Sequence, residues 1–355
     1  MTSRIVALYA RIMPLAGTLL LFAGWYYDQS WRGHGWEFHL AVFVALYGAT
    51  IGFRRFQLPI TKYGAVNLLG IVATGGALVA GPATTAAALF TGLMTCDTLL
   101  LGKSVNVAWI NAGREALALY AAYGFYAWAV VAIDPASLTA TGPEFIPAMT
   151  LFFLVHFVLS RGLLYFSLLV RGKLLPDERS LLLRYEVLTY GAGAGGVAVL
   201  IGALQLVGVA SSAVVALVLA FGGLLFKRII EESIAAEELN TILAMEQVVS
   251  SERGLADAIR RIESLAHRLV DWRALRIIRT EGGQDLVIYR GGEGLLARPD
   301  DADPAGGELR RLALADPEPL IVLDALRDAR FQAPPPGLRS AVTIRLRFGD
   351  RVMGV

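Results

Sequence analysis

Long apolar runs fill the first two-thirds of the chain, and short alternations of apolar and polar residues follow. A helix needs about 20 apolar residues to cross a hydrocarbon core. Eight runs approach that length: Ile5 to Tyr26, Glu37 to Phe53, Ile60 to Ala80, Pro82 to Leu101, Asn106 to Val131, Phe145 to Val170, Leu183 to Val207 and Val209 to Phe226. Gly81-Pro82 separates the third from the fourth, since proline lacks an amide and glycine turns freely. The last two are divided only near Gly208, so merging them would give seven.

Loop charge decides between these counts. With the N-terminus cytoplasmic, the inner loops of an eight-span bundle hold Arg54, Arg55 and Lys62, then Lys103, then Arg171, Lys173 and Arg179, then Lys227 and Arg228. The outer loops hold Arg32 as their one basic residue, beside Asp28, Asp134 and Glu144. That asymmetry follows the positive-inside rule and puts both termini in the cytoplasm of a multi-pass inner-membrane protein. Merging the last two runs would strand Lys227 and Arg228 outside, so eight is the expected number.

Composition agrees with a chain of two regimes. Only 17% of the 355 residues are charged and 55% are hydrophobic, against about 25% charged in a soluble domain. Charges are sparse up to Phe226 and appear every few residues after Lys227. The single cysteine, Cys96, excludes an internal disulfide framework. The first run is too long, and lacks a small-residue cleavage site, for a signal peptide. No basic stripe interleaved with aromatics exists, so nucleic-acid binding has no support. The division is a multi-pass transmembrane domain over residues 1–226, a connecting helix over 227–252 and a water-facing domain over 253–355.

Among the polar residues inside the expected spans, Asp97, Asn111, Arg114, Glu115, His156, Arg161 and Glu186 are the candidates for a site. Intramembrane charges are costly and face a bundle interior or a cavity. Asp97, Arg114, Glu115, Arg161 and Glu186 all count to the inner half of the bilayer, and opposite signs at similar depth predict pairing, for instance Arg114 or Arg161 with Asp97 or Glu115. Two readings stand: a polar pocket or switchable ion-pair network, and a structural network that fixes helix register. His156 reads either as a proton sensor or as a hydrogen-bonded histidine between helices. The GAGAGG run from Gly191 to Gly196 predicts close helix packing. A GxGxxG drawn through it has no preceding strand and carries no nucleotide signal.

After Phe226 no Pro or Gly occurs until Gly254, so the last span is expected to continue as a helix. Ala235, Leu239, Ile242 and Val249 form a short coiled-coil seam that Glu246 interrupts, which predicts a homodimer through this helix. Next comes an amphipathic helix carrying Ile259, Ile262, Leu265, Leu269 and Val270, then two strands around Gly282-Gly283. A loose acidic stretch from Arg298 to Pro304 precedes a helix, GGELRRLALAD. Val342, Ile344, Leu346 and Phe348 alternate with polar or small residues as one half-buried strand, and Val352 to Val355 starts back antiparallel after Gly349-Asp350. The fold class is a membrane all-α bundle of about eight spans followed by an α+β domain on an antiparallel sheet.

Two resemblances follow from these residues. The stretch holding Gly81-Pro82, Lys103 and Asn111-Ala112 is similar to the N-terminal membrane regions of bacterial sensor proteins. The soluble part resembles a GAF domain at Pro319 to Asp324 with Asp328, at Ser340 to Ile344, and at Gly349 to Val355. That resemblance implies a small-molecule or interaction module. A family member would continue past Val355 with the rest of the strand and a returning helix, so the resemblance implies a domain cut short, with an open strand edge that invites aggregation. An effector such as a histidine kinase, cyclase or phosphodiesterase is expected to follow. The soluble part lacks the cysteine by which relatives hold a linear tetrapyrrole, and the cyclic-nucleotide signature is absent. His267 is a surface or hydrogen-bonded residue before it is a haem ligand, and Asp324 and Asp328 cap turns before they form a carboxylate pair. The cofactor stays open.

No phosphate-binding loop, zinc-ligand spacing or nucleophilic triad is present, so no catalytic activity is assigned to these residues. The favoured function is a membrane-bound sensor and signal transducer whose partners are the bilayer, a second copy and a small-molecule ligand of the GAF-like module. The alternative is a transporter or channel with a regulatory cytoplasmic domain. An intramembrane enzyme using Glu115, His156 and Glu186 ranks third.

Overall fold

The computed structural model describes residues 2–27, 35–61, 64–137, 141–172, 174, 176–250, 255–269, 272, 274–281, 284–291, 294–299, 304–331, 338–348 and 351–355. Asp28, Arg32, Lys62, Lys173, Gly254, Gly282-Gly283 and Gly349-Asp350 therefore lie outside the described residues, as do the side chains of Gly208, Glu246, Val249 and His267. The chain divides into two compact units, Met1–Ala236 and Glu237–Val355.

Among the described residues, six helices of the first unit are long and apolar enough to cross a membrane. They lie in α1 (Thr2–Tyr27), α2 (Trp36–Arg55), α3 (Leu69–Thr95, extended by a π-helical turn to Leu100), α4 (Val105–Ile133), α5 (Ile146–Val170) and α6 (Pro176–Ser250). The eight expected runs give six helices because two pairs are each joined in one element. The third run is also shorter than expected. Ile60 to Leu68 is not helical: Leu58–Pro59 (β1) pairs with Ala65–Val66 (β2) in a small hairpin. Its turn is closed by the Ile60 and Thr61 amides, both donating to the Gly64 carbonyl. Pro59 and Gly64 break a run whose hydrophobicity alone reads as helix.

Both joined helices fold back on themselves. In α3, Gly81 sits at φ 81°, ψ 165°, a region open almost solely to glycine. A Cβ on Gly76 would lie 2.9 Å from the Thr85 side chain, although nine residues of straight helix would separate them by about 13 Å. Leu69–Ala80 and Pro82–Leu100 are thus two limbs meeting at Gly81. Gly81→Ala is expected to cost about 1–3 kcal/mol, read as a lowered thermal midpoint of the full chain in detergent. In α6, the Tyr185 hydroxyl and Ser233 Oγ are 2.7 Å apart across 48 residues. A straight helix would put them about 72 Å apart, so α6 doubles back between them. The break expected near Gly208 falls among residues whose side chains are not described.

Small residues let these helices approach. Ala73, Ala77, Ala83, Ala86 and Ala88 of α3 and Ala108, Ala112, Ala116, Ala118 and Ala122 of α4 are buried, and close backbone packing substitutes for a hydrophobic drive that lipid does not supply. Tyr126, Phe152 and Leu119 fill the centre of this cluster. A second cluster joins Ile60 and Val66 of the hairpin to Leu174, Leu182, Tyr185 and Ile230. Ile230, Ser233 and Ile234 still pack on the first unit, which explains why the division falls near Ala236 rather than at Phe226. Within GAGAGG, only Gly193 meets a neighbour: a Cβ there would lie 2.7 Å from Ile71, while Gly191, Gly195 and Gly196 face open space.

In the second unit, α7 (Leu255–Leu269) precedes β3 (Arg276–Glu281), β4 (Gln284–Arg290) and β5 (Gly294–Pro299). After them come α8 (Pro304–Ala315), β6 (Leu320–Val322), β7 (Ala341–Thr343), β8 (Leu346–Phe348) and β9 (Arg351–Gly354). Five strands form one antiparallel sheet in the order β5-β4-β3-β9-β8. The single strand expected over Val342 to Phe348 is two. β7 pairs with β6 in a separate two-stranded sheet, Ile321 opposite Val342, while β8 pairs with β9. Residues 344–345 make the transfer, so an unbroken alternation conceals a change of partner. β9 lies inside the sheet, with Val355 and Ile278 exchanging both backbone hydrogen bonds. β5 covers part of the stretch expected as a loop.

Candidate functional site: a buried polar network in the membrane unit

Asp97 is the hub of the first cluster. It sits fully buried in the π-helical turn Cys96–Leu100; such turns occur often at functional sites. Arg54, at the end of α2, donates from Nε and Nη2 to the two carboxylate oxygens at 2.8 and 3.0 Å. This bidentate fork is the strong form of the pair. Gly102 takes φ 60° and turns the chain back, so that the Lys103 amide donates to the Asp97 carbonyl and its ammonium lies 3.1 Å from Oδ1. Burial, then the neighbouring Arg54 charge, holds the Lys103 ammonium below its ordinary value, with Asp97 opposing both. Asn111 of α4 donates its amide to Oδ2.

Asn111 connects to the second cluster through Arg114 Nη1, which donates to Asn111 Oδ1 at 3.3 Å. Arg114 pairs with Glu115 at 3.0 Å, and Ser160 of α5 donates to the other Glu115 oxygen at 2.9 Å. Arg161 pairs with Glu186 of α6 at 3.0 Å, and Tyr165 donates to Glu186 at 2.8 Å. Arg161 also donates to Asn67 Oδ1 at 3.3 Å, and Asn67 Oδ1 caps the α3 limb by accepting from the Leu69 amide. His156 Nδ1 lies 2.8 Å from the Tyr190 hydroxyl, the tautomer deciding which donates.

All seven residues expected from sequence are therefore buried or hydrogen-bonded inside the bundle. The pairing differs in detail: Arg114 takes Glu115 as expected, Arg161 takes Glu186, and Asp97 takes Arg54 and Lys103. Sequence reasoning placed those two cations in loops, because a basic residue at a span end looks like an interfacial anchor. Asn67, Ser160, Tyr165 and Tyr190 were missed, as polar uncharged residues in apolar runs give no pattern. The Arg114, Glu115, Arg161 and Glu186 charges balance, so ion pairing compensates most of the desolvation. Chemically, this is a set of fixed pairs with a few unpartnered polar atoms: Arg114 Nε, Arg161 Nη1, His156 Nε2 and Thr189 Oγ1 have no hydrogen-bond partner among the described residues. No group of three His, Cys, Asp or Glu side chains that could hold a metal occurs among the described residues.

In the second unit, Asp324 and Asp328 each accept the backbone amide two residues on, from Leu326 and Arg330. They close turns and do not face each other as a pair. The Arg330 side chain and amide hold the Asp328 carboxyl down to about 2. Burial, with the Glu263 carboxylate beside it, pushes the Tyr289 hydroxyl up to about 12.

Fold and site together define a helical protein with six helices long and apolar enough to cross a membrane, joined to a unit built on small antiparallel sheets. No family model, curated protein or solved structure matches the chain.

Proposed function

We propose that the chain is a membrane-bound sensor and signal transducer, and the observation that carries this reading is the helix α6. It is helical from the last apolar limb through Phe226 to Ser250, with the i,i+4 pairs Lys227–Glu231 and Arg228–Glu232 along it, so a shift in the bundle has an element along which to pass. On this reading α6 crosses twice, and α3 enters and returns on the same side, its Leu69–Ala80 limb being about 18 Å long and too short to span alone. Lys227 lies over the Phe56 ring just past α2 and Gln205 donates to Thr141; the first contact is taken as the inner end of the bundle and the second as the outer. The antiparallel five-stranded sheet with α7 ahead of it supports a GAF-like module that takes a small-molecule ligand. Leu239 and Ile242 are more than half exposed, which supports a homodimer through that seam.

Cysteines placed singly from Ala236 to Leu243, in a Cys96→Ala background, test this in native membranes. Cross-linked dimers should peak at Leu239 and Ile242, and a reporter fused after Arg228 should be active only in the cytoplasm. Absence of cross-links at every position, or a reporter active on the far side, overturns the reading. The second reading is a transporter, favoured by α3, since helices broken within the bilayer accompany transport sites. Solute flux in proteoliposomes that Asp97→Asn abolishes would establish it.

A further inference from the structure

The short limb of α3 starts beside a cavity. A space with room for about one water molecule lies among Asn67, Gly70, Ile71, Phe153, Thr189 and Tyr190. Ile71, Phe153 and Tyr190 are half-buried, so the cavity opens on the flank of the bundle, toward lipid in a membrane-crossing protein. Its inner wall supplies hydrogen-bond donors. The first amides of a helix have no partner within it; Asn67 takes that of Leu69 and the Leu68 carbonyl takes that of Ile71, while Gly70 lines the cavity. Independently, Thr189 is 4% exposed, lines the cavity, and its Oγ1 has no partner among the described residues. A buried hydroxyl without a partner is destabilising, and an incoming acceptor would relieve that.

We propose that this cavity is a lateral binding site for the carbonyl end of an uncharged, bilayer-dissolved molecule, whose oxygen accepts from Thr189 and the α3 N-terminus while its apolar body lies in lipid. Three observations select that class. The donors are unmatched by acceptors, which calls for an oxygen acceptor. The four charges nearest the helix N-terminus, Arg114, Glu115, Arg161 and Glu186, already form two pairs, so an added anion would stand uncompensated in a low dielectric. The enclosed space is about the size of one water molecule, so it admits a carbonyl oxygen and not a whole ligand. The inference stands apart from the signalling reading, because it concerns binding alone.

The test uses the full chain in nanodiscs, with saturable retention over empty nanodiscs as the readout. The probes are a decyl-substituted benzoquinone, methyl palmitate, palmitate and hexadecane. Saturable binding of the quinone or of the ester is expected, weakened about five- to tenfold by Thr189→Val and held within about twofold by Thr189→Ser. Whichever of the two carbonyl probes binds names the source. Gly70→Ala provides a second variant: its Cβ would lie 2.2 Å from the Tyr190 ring, pushing that ring into the cavity and abolishing retention. Tighter binding of palmitate than of its ester, equal binding of hexadecane, indifference to Thr189→Val, or no saturable retention (a cavity for water only) would each overturn the proposal.

Discussion

Replacing Asp97 with alanine should destabilise the membrane unit by about 3–5 kcal/mol, the cost of leaving a buried charge without its partner. Arg54 loses both of its hydrogen bonds to the carboxylate, and its side chain is only 8% exposed. Lys103 is 31% exposed on its side chain and can turn its ammonium outward, so Arg54 bears most of the loss. Asp97→Asn keeps a polar group beside Asn111 yet removes the charge, and should fall between alanine and the native protein. The double change Arg54→Met with Asp97→Leu buries no charge and should recover much of the stability, as apolar replacements of buried pairs often do. Thermal unfolding in detergent, with the four proteins in parallel, reads all of this. An alanine variant within about 1 kcal/mol of native would mean that water reaches the cluster and screens it.

The second large effect concerns a contact with no charge. A Cβ built on Gly17 would lie 2.2 Å from the Gly113 carbonyl oxygen, and one on Gly113 would lie 2.4 Å from the Met13 carbonyl oxygen and 2.8 Å from the Pro14 Cα. The obstacles are backbone atoms of the facing helix, which cannot rotate away as a side chain can. α1 and α4 must separate to admit a methyl group, and that separation would stretch the bond from Trp109 Nε1 to Thr18 Oγ1, now 2.9 Å. Gly113→Ala is therefore expected to cost about 3 kcal/mol, at the upper end of overpacking effects, and Gly113→Val more. Gly124 has open space around it, so Gly124→Ala serves as the control and should leave the unfolding midpoint unchanged. Equal midpoints for the two alanine variants would contradict the close crossing.

Much of the first unit was legible because lipid imposes length and apolarity on a crossing helix. The runs from Ile5, Glu37, Asn106 and Phe145 correspond to α1, α2, α4 and α5, and Gly81-Pro82 marks the bend of α3. Ile60 to Leu68 was misread because a hydrophobic run buried in protein carries the same signal whether it is helix or hairpin. In the second unit the 3.6-residue period of α7 was plain, but β5 was not, since its neighbouring Asp and Pro residues read as loop. The passage from β7 to β8 was hidden because alternation records which face is buried and not which strand is the partner. In the site, charge in an apolar run identified Asp97, Glu115, Arg161 and Glu186. Pairing was only half legible: Arg114–Glu115 joins neighbours in sequence, whereas Arg54–Asp97 depends on α2 lying along the second limb of α3, which no local pattern records.

α6 is a doubled helix whose continuation leaves from the same end at which it began. Nitroxide labels at positions 185 and 233, in a Cys96→Ala chain diluted with unlabelled protein, measure this by pulsed electron–electron spectroscopy. The contact between Tyr185 and Ser233 predicts a separation under about 20 Å, and a distance near the ~72 Å of a straight helix would contradict it.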